Sequence, residues 1–123
     1  MTTEPKDPRV LVIEDTDEIR ELIGIALRKA GIDAELAGSG AAGLELFAAG
    51  GFDAVVLDMH MPGIDGLETC RTIRRSSAIP ILLVSGSAEG HGRRVSREAG
   101  ADDFMEKPFR PAALAARVKS LLS

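Results

Sequence analysis

Short apolar runs alternate with amphipathic stretches along this sequence of 123 residues. The runs RVLVI, AVVL and ILLV are rich in valine, isoleucine and leucine, which is typical of strands buried on both faces of a sheet. The stretches between them have apolar residues at helical spacing, as in the set Ile19, Leu22, Ile23, Ala26, Leu27 and Ala30. Strands and helices that alternate at this spacing form a parallel sheet with right-handed crossovers. The sequence therefore predicts one α/β domain.

The turn and capping signals set approximate bounds for these elements. The predicted strands cover residues 9–13, 32–37, 53–57, 80–84 and 103–106, and the predicted helices cover about 17–30, 40–49, 66–75, 88–99 and 111–122. The second strand is the weakest, and we expect it at an edge of the sheet. Thr16 is the expected N-cap of the first helix, and Pro111 suits the first turn of the last helix. Residues 1–7 are predicted to be a polar tail that precedes a domain of residues 8–123.

Composition and charge argue against several classes of protein. A net charge of −4 is not typical of a chain that binds nucleic acid or an anionic membrane. No apolar stretch approaches the roughly 20 residues that span a bilayer, and the polar start MTTEPKDPR does not read as a signal or transit peptide. Cys70 is the single cysteine, which favours a reduced thiol packed on a helix. We therefore expect a cytoplasmic protein.

Chemically active side chains follow four of the predicted strands. They are Glu14 and Asp15 after RVLVI, Asp58 after AVVL, Ser85 after ILLV and Lys107 after DFME. In sheets of this kind, binding and catalytic sites lie at the carboxyl ends of the strands. Three carboxylates, a hydroxyl and an ammonium are thus expected to meet at one edge of the sheet.

The acidic residues at this edge need either protons or a cation. Two carboxylates about 4 Å apart repel by roughly 4 kcal/mol at an effective dielectric constant of about 20. Such a group has raised pKa values or binds a metal ion. Because the ligands are oxygens and no Cys or His cluster accompanies them, the expected ion is Mg²⁺. An aspartate beside Mg²⁺, a hydroxyl and an ammonium can act as the nucleophile that accepts a phosphoryl group.

The sequence resembles the response-regulator receiver domains of two-component signalling. The resemblance covers residues 8–122 and rests on VLVIED, on D-x-x-M-P-G-x-D-G at 58–66, and on ILLVSGSA, AGADDF and KPF. Each motif alone is weak, but all five in this order and spacing are specific. The resemblance implies a flavodoxin-like, doubly wound (βα)5 fold with a five-stranded parallel sheet in the order 2-1-3-4-5. It also implies a phosphoryl-accepting switch of a two-component system or phosphorelay.

The resemblance implies a role for each acidic residue. Asp58 corresponds to the phosphoacceptor, phosphorylated by a histidine kinase or a histidine phosphotransfer protein. Asp15 and Asp58 correspond to Mg²⁺ ligands, as does the backbone carbonyl of His60, and Glu14 corresponds to a residue that contacts the metal through water. The side chains of His60 and Ser87 occupy positions that tune the lifetime of the phosphoryl group.

The resemblance also implies how the phosphoryl group is sensed. Ser85 and Lys107 correspond to the hydroxyl and the ammonium that bind the phosphoryl oxygens. Phe104 corresponds to an aromatic switch residue, and Pro108 to a proline that follows a cis peptide bond. Phosphorylation is then expected to change the face formed by the fourth helix, the fifth strand and the fifth helix. A downstream protein target or an output domain would recognise this change, and the chain would be no turnover enzyme beyond its own phosphorylation and dephosphorylation.

The same face forms active dimers in transcription regulators of this kind. Arg97 falls where that surface has an aliphatic side chain, and Ala113 falls where it has a glutamate. Burying an unpaired guanidinium costs several kcal/mol, more than surface ion pairs return. We therefore expect a monomer, or a dimer of another geometry.

Three other classes of protein share parts of these patterns. A pseudo-receiver would bind proteins through the same fold without phosphorylation. It is disfavoured by the presence of all four site residues, Asp15, Asp58, Ser85 and Lys107. A flavodoxin-type electron carrier is disfavoured because the chain has no Trp or Tyr to sandwich a flavin. A haloacid-dehalogenase-like phosphatase would use a DxD motif such as 15–17, but the short chain and the position of Asp58 do not suit it.

Overall fold

The computed structural model describes residues 7–61, 63, 65–86 and 92–123, so most of the predicted tail lies outside the described residues. Strands and helices alternate along the chain. The strands are β1 (Arg9–Ile13), β2 (Asp33–Ala37), β3 (Ala54–Asp58), β4 (Ile81–Ser85) and β5 (Asp103–Glu106). The helices are α1 (Asp17–Lys29), α2 (Gly40–Ala49), α3 (Gly66–Arg74), α4 (Gly92–Glu98) and α5 (Pro111–Leu122). The predicted α/β alternation is confirmed.

All five strands belong to one parallel sheet with the order β2-β1-β3-β4-β5. This order confirms the flavodoxin-like topology, and β2 lies at an edge as predicted. Because every pair of neighbouring strands is parallel, the carboxyl ends of all strands lie at the same edge of the sheet. The chain therefore has one edge at which residues from distant parts of the sequence can meet.

Two strand bounds differ from the prediction in a way that matters for the site. The strands β3 and β4 were expected to end at residues 57 and 84, but each continues for one more residue. The ladder pairs Asp58 with Val84, and Ser85 with Glu106. Asp58 and Ser85 are therefore held by strand pairing rather than by a loop. The fourth helix was expected over 88–99, and its described part begins at Gly92 and ends at Glu98.

Apolar side chains fill the space on both faces of the sheet. Successive strand residues point to opposite faces, so Val10 packs in the layer beneath α1 and α5, whereas Leu11 packs in the other layer. Both residues are fully buried. Cys70 on α3 belongs to the second layer, and burial raises the pKa of its thiol. It is a core residue, as the sequence predicts.

The predicted residues lie at the helix ends, but one of them does not form the expected capping hydrogen bond. Thr16 is the N-cap residue of α1, yet its side chain accepts no capping hydrogen bond. In the first turn of α1, Arg20 instead forms an ion pair of 2.6 Å with Asp17. Pro111 lies in the first turn of α5. None of the described helices is long and apolar enough to cross a bilayer.

Gly66 lets the start of α3 approach the end of β3. A Cβ atom at Gly66 would lie 1.9 Å from the carbonyl oxygen of Asp58 and 2.6 Å from the Cα atom of Met59. The Gly66 N–H donates a hydrogen bond of 2.9 Å to the Met59 carbonyl. The backbone around Asp58 is therefore packed directly against α3.

We expect Gly66→Ala to lower the free energy of unfolding by about 2–3 kcal/mol, because a clash with backbone atoms can be relieved only by moving a strand end or a helix. Urea denaturation followed by circular dichroism measures this change. Gly86→Ala is the matched control, since a Cβ atom there meets no atom of the described residues within 4 Å. Equal stability of the two variants would show that the approach of α3 tolerates a methyl group.

Candidate functional site

The structure places four predicted site residues at the carboxyl edge of the sheet. Glu14 directly follows β1, Asp58 ends β3, Ser85 ends β4 and Lys107 directly follows β5. The Lys107 N–H donates a hydrogen bond of 2.7 Å to the Ser85 carbonyl, which fixes the end of β5 beside β4. The Glu14 N–H donates to the carbonyl of Ala37, the last residue of β2, at 3.0 Å. Backbone hydrogen bonds at the strand ends thus fix the main-chain positions from which these side chains extend.

Three carboxylates form an acidic cluster at this edge. Glu14, Asp15 and Asp58 each place a carboxylate oxygen within 4.8 Å of the others. Glu14 and Asp58 are buried, with 2% and 4% of their surface exposed, whereas Asp15 is half-buried. Hard oxygen ligands gathered in this way suit Mg²⁺. The residues present therefore fit a magnesium ion.

The Lys107 ammonium lies between the two buried carboxylates. Its Nζ donates a hydrogen bond of 2.8 Å to Glu14 Oε1 and lies 3.4 Å from Asp58 Oδ1. Backbone N–H groups add to this: Thr16 donates to Glu14 Oε2 at 3.2 Å, and His60 donates to Asp58 Oδ1 at 3.3 Å. One partly buried positive charge thus compensates two buried acidic groups that follow or end different strands.

This environment shifts the pKa values of Asp58 and Lys107. Burial, followed by a hydrogen bond to Glu14 and the charge of Glu14, raises the pKa of Asp58 to about 7, although Lys107 and the His60 N–H oppose the shift. Burial by itself lowers the pKa of Lys107, but the hydrogen bond to Glu14 and the charge of Asp58 outweigh it, so the net shift is upward. At neutral pH Lys107 is therefore charged, and Asp58 is only partly ionised.

Ser85 and Phe104 lie inside the domain beside this cluster. Ser85 is fully buried at the end of β4, and Phe104 on β5 is 3% exposed. A Cβ atom at Gly92 would lie 3.0 Å from the Phe104 ring, so the start of α4 packs directly on the aromatic side chain. The Arg93 guanidinium covers the same ring at 5.6 Å from its centre. The aromatic residue thus connects β5 to the first turn of α4.

Of the remaining predicted site residues, the structure describes His60 and Pro108. The His60 side chain is exposed, while its backbone N–H is engaged with Asp58. The Lys107–Pro108 peptide bond is cis. Ser87 lies outside the described residues. The role of the His60 carbonyl and the roles of His60 and Ser87 in phosphoryl lifetime stay predictions.

One residue that supports the α4–β5 region was not found from the sequence. The Arg74 side chain at the end of α3 forms an ion pair of 2.7 Å with Asp102 and donates to the carbonyls of Gly100, Ser77 and Ile79. Asp102 also accepts from the Ile81 N–H. The partners of Arg74 could not be predicted from the sequence, because they lie in two separate loops and no local pattern connects those loops to an arginine at a helix end.

The match to known proteins agrees with this geometry. A family model described as the response regulator receiver domain matches residues 10–119. The chain therefore belongs to the response-regulator receiver family of two-component signalling, as its motifs predict. Membership in the receiver family gives no support to the two alternatives, the flavodoxin-type electron carrier and the haloacid-dehalogenase-like phosphatase.

Similar proteins include full-length regulators. The chain is 41% identical over 113 residues to the transcriptional regulatory protein CseB of Streptomyces avermitilis, a match that covers 92% of this chain and 48% of CseB. It is 35% identical over 114 residues to the DNA-binding response regulator MtrA of Mycolicibacterium smegmatis, which covers 93% of this chain and 50% of MtrA. The solved receiver domain of the Francisella response regulator 1452 has a TM-score of 0.89 at 29% identity, covering 94% of this chain and 97% of that one. The chain spans about half the length of the two regulators.

Proposed function

We propose that this receiver is switched by phosphorylation of Asp58, with Mg²⁺ as the required ion. The observation that supports this most strongly is the arrangement of a buried Asp58, a partly buried ammonium from Lys107 and two further carboxylates at one sheet edge. A phosphohistidine on a histidine kinase or on a histidine phosphotransfer protein is the proposed donor in the signalling pathway. The proposed domain is residues 8–123, preceded by the polar tail 1–7, and the proposed location is the cytoplasm.

The proposed reaction is a direct transfer to the carboxylate. An Asp58 Oδ atom attacks the phosphorus of the donor, and the bond between phosphorus and the donor nitrogen breaks as the new P–O bond forms. Asp58 must be ionised to attack, and its pKa of about 7 leaves it partly ionised in neutral solution. The Ser85 hydroxyl and the Lys107 ammonium then bind phosphoryl oxygens. For this, Lys107 exchanges its hydrogen bond with Glu14 for one with the phosphoryl group.

The acidic cluster would hold the metal ion. Asp15 and Asp58 are the proposed direct ligands together with the His60 carbonyl, and Glu14 is proposed to contact the ion through water. When bound, Mg²⁺ neutralises the charge that the carboxylates and the phosphoryl oxygens bring together. The ion would also favour the ionised form of Asp58, because a positive charge beside a carboxylate lowers its pKa.

The proposed output is a change at the α4–β5–α5 face. Ser85 ends β4, Phe104 lies on β5, and its ring packs on Gly92 at the start of α4. A movement of Ser85 toward the phosphoryl group would therefore be followed by the aromatic ring and by α4. CseB is a transcriptional regulatory protein and MtrA is a DNA-binding response regulator. We therefore propose that an output domain or a separate protein target recognises this change.

Intact-mass measurement after incubation with acetyl phosphate and Mg²⁺ tests the proposal. We expect one added phosphoryl group on the wild-type chain, stable in acid and labile in alkali, and none on Asp58→Asn. Asp53→Asn is the matched control, since Asp53 is an exposed acid next to the other end of β3. Omission of Mg²⁺ is expected to prevent the addition. Equal labelling of Asp58→Asn would place the acceptor elsewhere.

A further inference from the structure

The Arg20 side chain of α1 contacts the chain on both sides of Asp15. Its Nη1 donates a hydrogen bond of 3.0 Å to the carbonyl oxygen of Glu14, the residue before Asp15. Its Nη2 donates a hydrogen bond of 2.6 Å to Oδ1 of Asp17, two residues after Asp15. Because the guanidinium is planar and rigid, these two bonds fix the end of β1 relative to the start of α1.

The surroundings of Arg20 restrict its guanidinium. The side chain is only 21% exposed. Its backbone N–H donates a hydrogen bond of 2.9 Å to the Thr16 carbonyl, so the residue is fixed in the first turns of α1. A Cβ atom at Gly38 would lie 3.1 Å from Nη1 of Arg20, so the chain that follows β2 packs directly on the guanidinium. The arginine is therefore held by a helix and by a neighbouring loop.

The Asp15 carboxylate depends on its main chain for its position. Asp15 is half-buried and belongs to the acidic cluster. In the part of the chain that the structure describes, its carboxylate accepts no hydrogen bond and forms no ion pair. The carboxylates of Glu14 and Asp58, in contrast, both contact the Lys107 ammonium. The contacts that determine where Asp15 lies are therefore those of the residues beside it, which Arg20 connects.

We infer that Arg20 is a positioning residue for the metal site, an inference that rests on the proposed binding of Mg²⁺ by the acidic cluster. Arg20 does not contact the ion. It holds the segment that carries Asp15, and so it sets the separation between the Asp15 and Asp58 carboxylates. Mg²⁺ demands nearly ideal octahedral geometry, whereas Ca²⁺ accepts a flexible one. Loss of Arg20 is therefore expected to weaken the binding of Mg²⁺ more than that of Ca²⁺.

The charge of Arg20 would act in the opposite direction. A guanidinium near the acidic cluster repels a divalent cation and also neutralises the Asp17 carboxylate. If the charge alone mattered, its removal would therefore tighten the binding of Mg²⁺. The loss of a positioning contact weakens that binding instead. The sign of the change in affinity thus separates the two effects.

NMR titrations of the 123-residue chain with Mg²⁺ and, separately, with Ca²⁺ test this role. Arg20→Met is expected to raise the dissociation constant for Mg²⁺ by about tenfold, the lower end of the effect of residues that orient metal ligands. The dissociation constant for Ca²⁺ is expected to change by less than about twofold. Arg28→Met is the matched control, since Arg28 also donates from α1 to a backbone carbonyl, that of Ala34, but at the other end of the helix. Its affinity for Mg²⁺ is expected to equal that of the wild type.

Arg20→Lys is the second variant, and it is decisive if thermal melting shows that Arg20→Met does not fold. It keeps the positive charge but replaces the planar fork with a single ammonium, so we expect it to restore only part of the affinity for Mg²⁺. Unchanged or tighter binding of Mg²⁺ by the folded Arg20 variants would overturn the positioning role and leave the metal site intact. Equal losses for Mg²⁺ and Ca²⁺, or an equal loss in Arg28→Met, would overturn it as well. A wild type that binds no Mg²⁺ would overturn the metal site itself, and this role with it.

Discussion

Lys107→Ala is expected to lower the free energy of unfolding by about 3–5 kcal/mol at pH 8, because it leaves two buried carboxylates without their positive partner. The ammonium bonds Glu14 at 2.8 Å and lies 3.4 Å from Asp58. Its pKa is raised, so the stabilising contribution is fully present below the ordinary lysine pKa and is lost only as the pH rises through the raised value. At pH 8 the ammonium is charged in the wild type, so Lys107→Ala removes the whole of this stabilising contribution.

Urea denaturation at pH 8 and pH 5 measures this effect. The loss is expected to be smaller at pH 5, since the carboxylates of the variant can take up protons instead of staying charged. Added Mg²⁺ is expected to restore part of the stability at pH 8, because the ion supplies the missing positive charge to the same carboxylates. Lys119→Ala is the control, as that lysine is exposed. A loss at pH 8 no greater than that of the control would contradict the compensation by Lys107.

Asp58→Asn is expected to be more stable than the wild type by roughly 2–4 kcal/mol above pH 7. The pKa of Asp58 is about 7 in the folded protein, chiefly because the group is buried, and about 4 in an unfolded chain. Between these values the folded state binds a proton that the unfolded state does not bind. The stability of the wild type therefore falls as the pH rises from about 4 to about 7, by up to about 1.4 kcal/mol for each pH unit.

Denaturation curves collected from pH 4.5 to pH 8 test this prediction. The contribution of Asp58 to the pH dependence is expected to be missing in Asp58→Asn and present in Asp53→Asn. Mg²⁺ at about ten times its dissociation constant should stabilise the wild type by about 1.4 kcal/mol and the asparagine variant by less. Parallel pH profiles for the wild type and Asp58→Asn would show that the acceptor has no raised pKa.

The site was largely predictable because parallel strands bring their carboxyl ends together. Glu14, Asp58, Ser85 and Lys107 each lie at a predicted strand end, and the sheet gathers all four. The charge arrangement was not predictable in detail. The resemblance implies that Lys107 pairs with the phosphoryl group, whereas in the structure its nearest acid is Glu14. The side chain of Glu14 is one methylene longer than that of an aspartate, and only the folded geometry shows that it reaches the ammonium.

Local patterns determined which segments are strands and helices, which strand lies at the edge, and which acidic residues follow the strands. They did so because periodicity, capping signals and apolar runs act within a few residues of the chain. Only the tertiary structure decided which side of α1 stays uncovered: Leu22 follows the predicted apolar stripe together with Ile23 and Leu27, yet those two are buried and Leu22 is half exposed. The small alanines of α5 leave a groove beside it. Burial of that residue depends on the size of side chains about 90 positions away, a distance at which helical periodicity holds no information.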